Sequence, residues 1–168
     1  KLAGPSRTMK GGLGEAVQAC GALICGAVTA VNACSTVVDP LTHLPIAGVL
    51  DEKGSACIAD TTELLLNASA QMPLSRTNTT ISCVVTNAKL TKAQATKVAQ
   101  MSADAYAHTI EPTHTTNDGD TIFVMATGQV ELPVDVVGAL ATRVLETAIV
   151  DAVQQAKTAY GFKAACDL

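Results

Sequence analysis

The sequence predicts a single α/β domain with closely spaced layers. Three observations carry that prediction: β-branched runs at strand length, two long stretches with helical apolar spacing, and a core with almost no aromatic residues. The 168 residues are 48% apolar, with two Tyr, two Phe and no Trp. Such a chain is long enough for one well-filled core. With so few rings, that core must be packed from Val, Leu, Ile and Ala, and small side chains let helix and strand approach closely.

Taken in order, Lys10-Gly11-Gly12-Leu13-Gly14 reads as a glycine-rich turn or a point of close backbone approach. It lacks the spacing and Lys-Ser/Thr ending of a phosphate loop. Glu15 to Cys20 and Ala22 to Ala33 predict a hairpin that turns near Gly21 or Gly26, the second strand being buried and ending at Asn32. A lone Asn there ordinarily turns or caps the chain. Its amide N–H can also face a developing oxyanion. Residues 36–54, with Asp39-Pro40 and Pro45, predict loop with short extended pieces. Asp60 as N-cap and Glu63 at the third helical position predict a short helix from Thr61 to about Ala68. Ser69 to Asn78 then reads as a linker that is exposed, or strained before cleavage.

The polar run Arg76-Thr77-Asn78-Thr79 passes abruptly into a strand, Thr80 to Thr86. Thr91 and Gln94 have capping-box spacing and open a helix reaching about His108, with Ala95, Val98, Ala99, Met101, Ser102, Ala105 and Tyr106 along one side. Glu111-Pro112 stops it, and residues 113–120 form a polar loop. Thr121 to Ala126 predicts a further buried strand, closed by Gly128. From Val134 to Ala156, apolar residues recur at helical spacing and predict a long helix over the core.

Charge and composition exclude some functions. The net charge is −4 and the cations are scattered, which gives no basic face for a nucleic acid. The longest apolar run, Gly21 to Val31, is too short to cross a bilayer, so no membrane partner is expected. The six cysteines, at 20, 25, 34, 57, 83 and 166, form no CxxC pair, and buried, reduced thiols in a cytoplasmic protein are the expectation. His43, His108 and His114 stand apart from one another and from the cysteines, so no metal site or cofactor is expected.

Two stretches bear on chemistry. A Thr at the first position of a strand becomes self-sufficient once the bond before it is cut, because its freed α-amine, with a pKa near ~8, can take the proton of its own hydroxyl. Thr79 is the candidate, with Asn78–Thr79 as the bond. Asp118-Gly119-Asp120 puts two carboxylates at the mouth of the next strand. Such a turn is ordinarily only solvated, but one carboxylate can orient a hydroxyl or ammonium group while the other tunes its proton affinity.

These residues lie within a larger pattern. Asn78-Thr79-Thr80-Ile81, Val85-Thr86-Asn87, Leu90-Thr91-Lys92-Ala93-Gln94-Ala95, Ile110-Glu111-Pro112-Thr113-His114-Thr115, Asp118-Gly119-Asp120-Thr121-Ile122-Phe123 and Ala126-Thr127-Gly128 occur in that order. With Lys10-Gly11-Gly12-Leu13-Gly14 and Ala30-Val31-Asn32-Ala33 upstream, they resemble the DmpA/NylC group of S58 peptidases. That group comprises L-aminopeptidase/D-amidase/esterases, β-aminopeptidases and nylon-oligomer hydrolases. The resemblance covers nearly the whole chain.

The resemblance implies an αββα-type sandwich, related to the N-terminal nucleophile hydrolases but connected differently. It also implies a precursor that cuts itself once, here between Asn78 and Thr79. Residues 1–78 would end the α subunit and 79–168 would form the β subunit. The Asn-Thr junction is closer to the nylon-oligomer branch than to the Gly-Ser junction of the aminopeptidase branch. Thr79 is then the nucleophile, Asn32 the oxyanion donor and Asp118 and Asp120 the orienting carboxylates, 39 and 41 positions after Thr79 as in the nylon branch. Lys10 is carried over as a further catalytic residue.

A small peptide or amide is the implied substrate, and tetramers of αβ units are the implied assembly. Members of the group carry a front half with further strands and substrate contacts, so an N-terminal segment of the same precursor is an expected partner. Two other functions fit the same residues: acyl transfer to an amine, as in the ornithine acetyltransferases, and a catalytically silent assembly subunit.

Overall fold

A computed structural model describes residues 1–57, 61–67, 78–116 and 118–168. Four strands, β1 (Gly12–Cys20), β2 (Leu23–Asn32), β5 (Thr79–Ala88) and β7 (Thr121–Val130), form one sheet in the order β1-β2-β5-β7. β1 and β2 are a hairpin joined through Gly21, and β2 pairs antiparallel with β5. β5 and β7 run parallel, so the chain between them must cross over. It does so through α2 (Lys92–Ser102) and α3 (Asp104–Thr109). The smaller sheet, β4 (Pro45–Ala47), β3 (Thr36–Val38) and β6 (Ile110–Glu111), lies beside α3 and α4. Two further α-helices, α1 (Thr61–Asn67) and α4 (Val134–Gln154), and two short 3-10 helices, Pro5–Arg7 and Ala165–Asp167, complete the described elements.

α4 lies across β1 and β2, with α2 against it and over β7. Its apolar stripe, Val137, Ala141, Val144, Leu145, Ala148, Ile149, Ala152 and Val153, is buried against Leu23, Cys25, Ala27, Val31 and Val84. The glycine run at the start of β1 makes this packing possible. Gly12 and Gly14 are strand residues and Gly11 directly precedes the strand, and of the two roles predicted for them close approach is the one found. A Cβ on Gly12 would lie 1.9 Å from the Ala152 carbonyl oxygen, and one on Gly14 would lie 2.2 Å from that of Ala148. Gly14→Ala must push helix from sheet, and is expected to destabilise the protein by about 1–3 kcal/mol in chemical denaturation.

The hairpin, the capping box of Thr91 with Gln94, α1 and α4 agree with the sequence expectations. Others differ for physical reasons. The helix expected to run from Thr91 to about His108 is interrupted at Ala103. Ser102 Oγ donates to the Val98 carbonyl four residues back, a bond that competes with the helical ladder. β7 continues through Gly128, which at φ 79° accommodates an irregularity in the ladder instead of ending the strand. Cys20 and Cys166 are exposed, whereas Cys25 and Cys34 are buried as expected; none of the six, all among the described residues, is in a disulfide. The expected N-cap Asp60 and the linker at 69–77 lie outside the described residues.

Of the two strands read as buried, β2 is buried on one face only, and β7 has no fully buried residue, Ile122 and Val124 being partly covered. The other face of the four-stranded sheet carries Leu13, Val17, Ile24, Val28, Ile81, Val85, Phe123 and Met125, with Val17 76% and Phe123 58% exposed. Among the described residues no helix is long and apolar enough to cross a membrane.

Candidate active site at the start of strand β5

Thr79 opens β5, and its register partner on β2 is Asn32. The β5–β7 ladder pairs Ile81 with Thr121, and an isolated parallel bridge three residues earlier pairs Asn78 with Asp118 at the same offset. Sheet register therefore brings together four of the five residues predicted for the site, although 32, 79, 118 and 120 are far apart in the chain.

The contacts are direct. Thr79 Oγ1 donates to the carbonyl of Asn78, across the bond singled out in the sequence. Gly119 N–H donates to that same carbonyl at 3.2 Å. The Asp120 carboxylate accepts from Thr80 N–H at 2.7 Å. Asp118 accepts from Thr115 N–H at 2.8 Å and from the Thr115 hydroxyl at 2.9 Å, which ties the turn together. Asn78 is 3% exposed, so its carbonyl sits in a largely dry environment.

Asn32 is exposed at the end of β2. Lys1 Nζ donates to its side-chain oxygen and, at 3.0 Å, to its backbone carbonyl. With the oxygen end of the amide engaged by a cation, the nitrogen end is the donor turned elsewhere. Burial pulls the Lys1 ammonium below its usual pKa, against the opposing pull of Cys34 and Asp118. Lys10, the fifth predicted residue, donates from Nζ to the Gly11 carbonyl at 2.9 Å. It lines, with Lys1, Leu13, Asn32, Tyr160 and Phe162, a cleft of about 540 Å³. Lys10 thus shares a cleft with Asn32 rather than touching the Thr79 hydroxyl.

Under the site runs a buried hydroxyl network. Thr29 Oγ1 lies 2.7 Å from Ser82 Oγ, and Ser82 Oγ lies 2.8 Å from the Tyr106 hydroxyl, which is 3.2 Å from the Thr80 carbonyl. Burial pushes the Tyr106 hydroxyl up to about 12, so it stays protonated as a donor. Helical spacing marks Tyr106 only as part of an apolar stripe, and its polar role was missed. A Tyr on a buried stripe needs a partner for its hydroxyl, and that was the available signal. Lys1 and Gly119 were missed as well.

Burial raises the Asp120 carboxyl above its ordinary 3.8, with the Asp118 charge adding to the rise and the Thr80 N–H and His114 opposing it. The folded protein therefore holds this proton more tightly than the unfolded chain does. Stability falls as pH rises from the ordinary value through the raised one, and the deficit is complete above it. Asp120→Asn keeps an oxygen for Thr80 N–H and removes the buried charge. It is expected to raise the denaturation midpoint at pH 7, with the advantage gone below about pH 3.8. Denaturation curves at the two pH values check this.

The model of peptidase family S58 matches residues 5–166 of the sequence. The chain belongs to peptidase family S58. An uncharacterized aminopeptidase of Mycobacterium leprae is 35% identical over 95% of the chain and 49% of its own length. A 6-aminohexanoate-oligomer endohydrolase of Kocuria sp. is 38% identical over 33% of the chain and 16% of its own length. Among solved structures, the L-aminopeptidase D-Ala-esterase/amidase of Ochrobactrum anthropi superposes with a TM-score of 0.59 at 18% identity, over 94% of this chain and 45% of that one. A Burkholderia sp. β-aminopeptidase gives a TM-score of 0.54 at 20% identity, over 86% and 42%.

The fold is accordingly of the kind reported for the Ochrobactrum anthropi protein, a variant among the N-terminal nucleophile hydrolase folds. The chain spans about half the length of the M. leprae relative.

Proposed function

We propose that this S58 chain belongs to a self-processing amidase or aminopeptidase whose nucleophile is Thr79. The observation that carries the reading is the Thr79 hydroxyl donating to the Asn78 carbonyl, with Asn32 opposite and Asp120 holding the next backbone N–H. Maturation begins when Thr79 Oγ bonds to the Asn78 carbonyl carbon. The C–N bond then breaks, leaving an ester on Oγ and a free amine on Thr79, and water cleaves the ester. In turnover the amine takes the hydroxyl proton while Oγ attacks a substrate amide or ester carbonyl. Asn32 donates to the oxyanion, the leaving group departs with the proton, and water releases the acyl group. Asp118 and Asp120 orient the new ammonium and hydroxyl, and Lys10 faces the substrate from the Asn32 cleft.

Residues 1–78 and 79–168 are then the end of an α subunit and a β subunit. The same proposal includes an N-terminal segment of the precursor as the cover for the apolar sheet face that Val17 and Phe123 expose. It also includes a tetramer of processed units, which light scattering measures, and a reducing cytoplasmic setting in keeping with six cysteines that form no disulfide. The functional test is a panel of amino-acid p-nitroanilides and amide oligomers, with and without added amines. Hydrolysis with no amine adduct is the expected result. Acyl products on the added amine would mark an acyltransferase, and an uncut protein that turns over nothing would mark a silent assembly subunit.

A further inference from the structure

The Asn78 carbonyl receives two donors, and only one of them belongs to the attacking residue. We infer that the backbone N–H of Gly119 is the oxyanion donor for the self-cleavage step, separate from the role proposed for Asn32 in turnover. This rests on the reading of Asn78–Thr79 as the bond that is cut.

When Thr79 Oγ bonds to the Asn78 carbonyl carbon, the carbonyl π pair moves onto its oxygen. Because Asn78 is 3% exposed, bulk water is poorly placed to stabilise that charge, and a fixed protein donor must. Gly119 N–H is 3.2 Å from the oxygen before any reaction. On collapse the C–N bond breaks, the amide nitrogen takes the hydroxyl proton, and the oxygen returns to a carbonyl as the ester forms.

The donor is held in advance. Asp118, the residue before it, is tied to Thr115 by three hydrogen bonds: its Oδ2 accepts from the Thr115 N–H and hydroxyl, and its own N–H donates to the Thr115 carbonyl at 3.1 Å. On the far side of the scissile bond, Asp120 clamps Thr80 N–H at 2.7 Å. The segment 118–120 thus grips the chain on both sides of the bond that breaks. The residue type fits as well, because a Cβ at position 119 would lie 2.9 Å from Thr79 Oγ1. A glycine lets backbone and attacking hydroxyl share the space around one carbonyl.

The plain alternative is that this bond is one more rung of the β5–β7 ladder, with no part in the reaction. Replacing position 119 by glycolic acid during in vitro translation separates the two, since the ester link lacks the N–H and adds no bulk. Cutting is followed by intact mass after denaturation, against the all-amide chain and a chain with the same ester at Gly161. The expected result is cutting slowed about 100-fold or more at 119 and unchanged at 161. A 119 ester that melts like the all-amide chain and cuts at its rate overturns the inference. An all-amide chain that never splits before Thr79 overturns the self-cleavage reading itself, and this inference with it. Should the 119 ester fail to fold, Thr115→Val decides: it removes one hydrogen bond anchoring Asp118, and about tenfold slower cutting supports the inference while an unchanged rate refutes it.

Discussion

Thr79→Ala is expected to leave the precursor whole and to lower amide hydrolysis by on the order of 10⁴-fold or more, the scale of losing a covalent nucleophile. The size follows from one residue doing two jobs. Removing the hydroxyl takes away the group that attacks the Asn78 carbonyl, and without that attack no α-amine is freed to act as base. The variant should fold, because Thr79 is only half-buried and its backbone place in the β2–β5 ladder does not need the side chain. Thr79→Ser keeps the oxygen and should retain both cutting and turnover at reduced rates. Mass spectra and a chromogenic amide assay check both variants, and a Thr79→Ala protein that still splits before residue 79 would remove the nucleophile from the account.

Asn32→Ala is expected to lower kcat by about 10²–10³-fold in the cut enzyme, with KM changed far less. An oxyanion donor is used mainly in the transition state, so its loss belongs in kcat. Lys1 makes the prediction more specific. Its ammonium engages the oxygen end of the Asn32 amide, so Asn32→Asp, which replaces the donor with a second acceptor, should be as damaging as alanine even though the Lys1 contact is kept. A loss confined to KM would make Asn32 a substrate-binding residue instead.

The parts of this structure legible in the sequence are those written in local periodicity. α4 shows its stripe every three to four residues, the hairpin shows two apolar runs about a glycine, and Thr91 with Gln94 marks the start of α2. Burial was less legible. An apolar strand such as Thr121–Ala126 reads the same whether one face or both are covered, because sequence records side chains and not what lies opposite them. The exposed Phe123 and Met125 make that difference visible.

The site divides in a similar way. Thr79, Asn32, Asp118 and Asp120 were singled out as candidates from the sequence, and register explains why they come together: β2, β5 and β7 are neighbours, so residues at the ends of three strands meet at one corner. Gly119 stayed hidden because its contribution is a backbone N–H, which no residue letter encodes. Tyr106 stayed hidden because an amphipathic pattern treats its ring and its hydroxyl as one property, although the ring packs in the core and the hydroxyl reaches the Thr80 carbonyl.

The mass of the denatured, purified protein tests the central claim most directly. The account predicts a fragment whose first residue is Thr79, separated from one that ends at Asn78, with no intact precursor once maturation is complete. A single uncut species that nevertheless hydrolyses amides would contradict it, since the base assigned to the reaction would then never have been released.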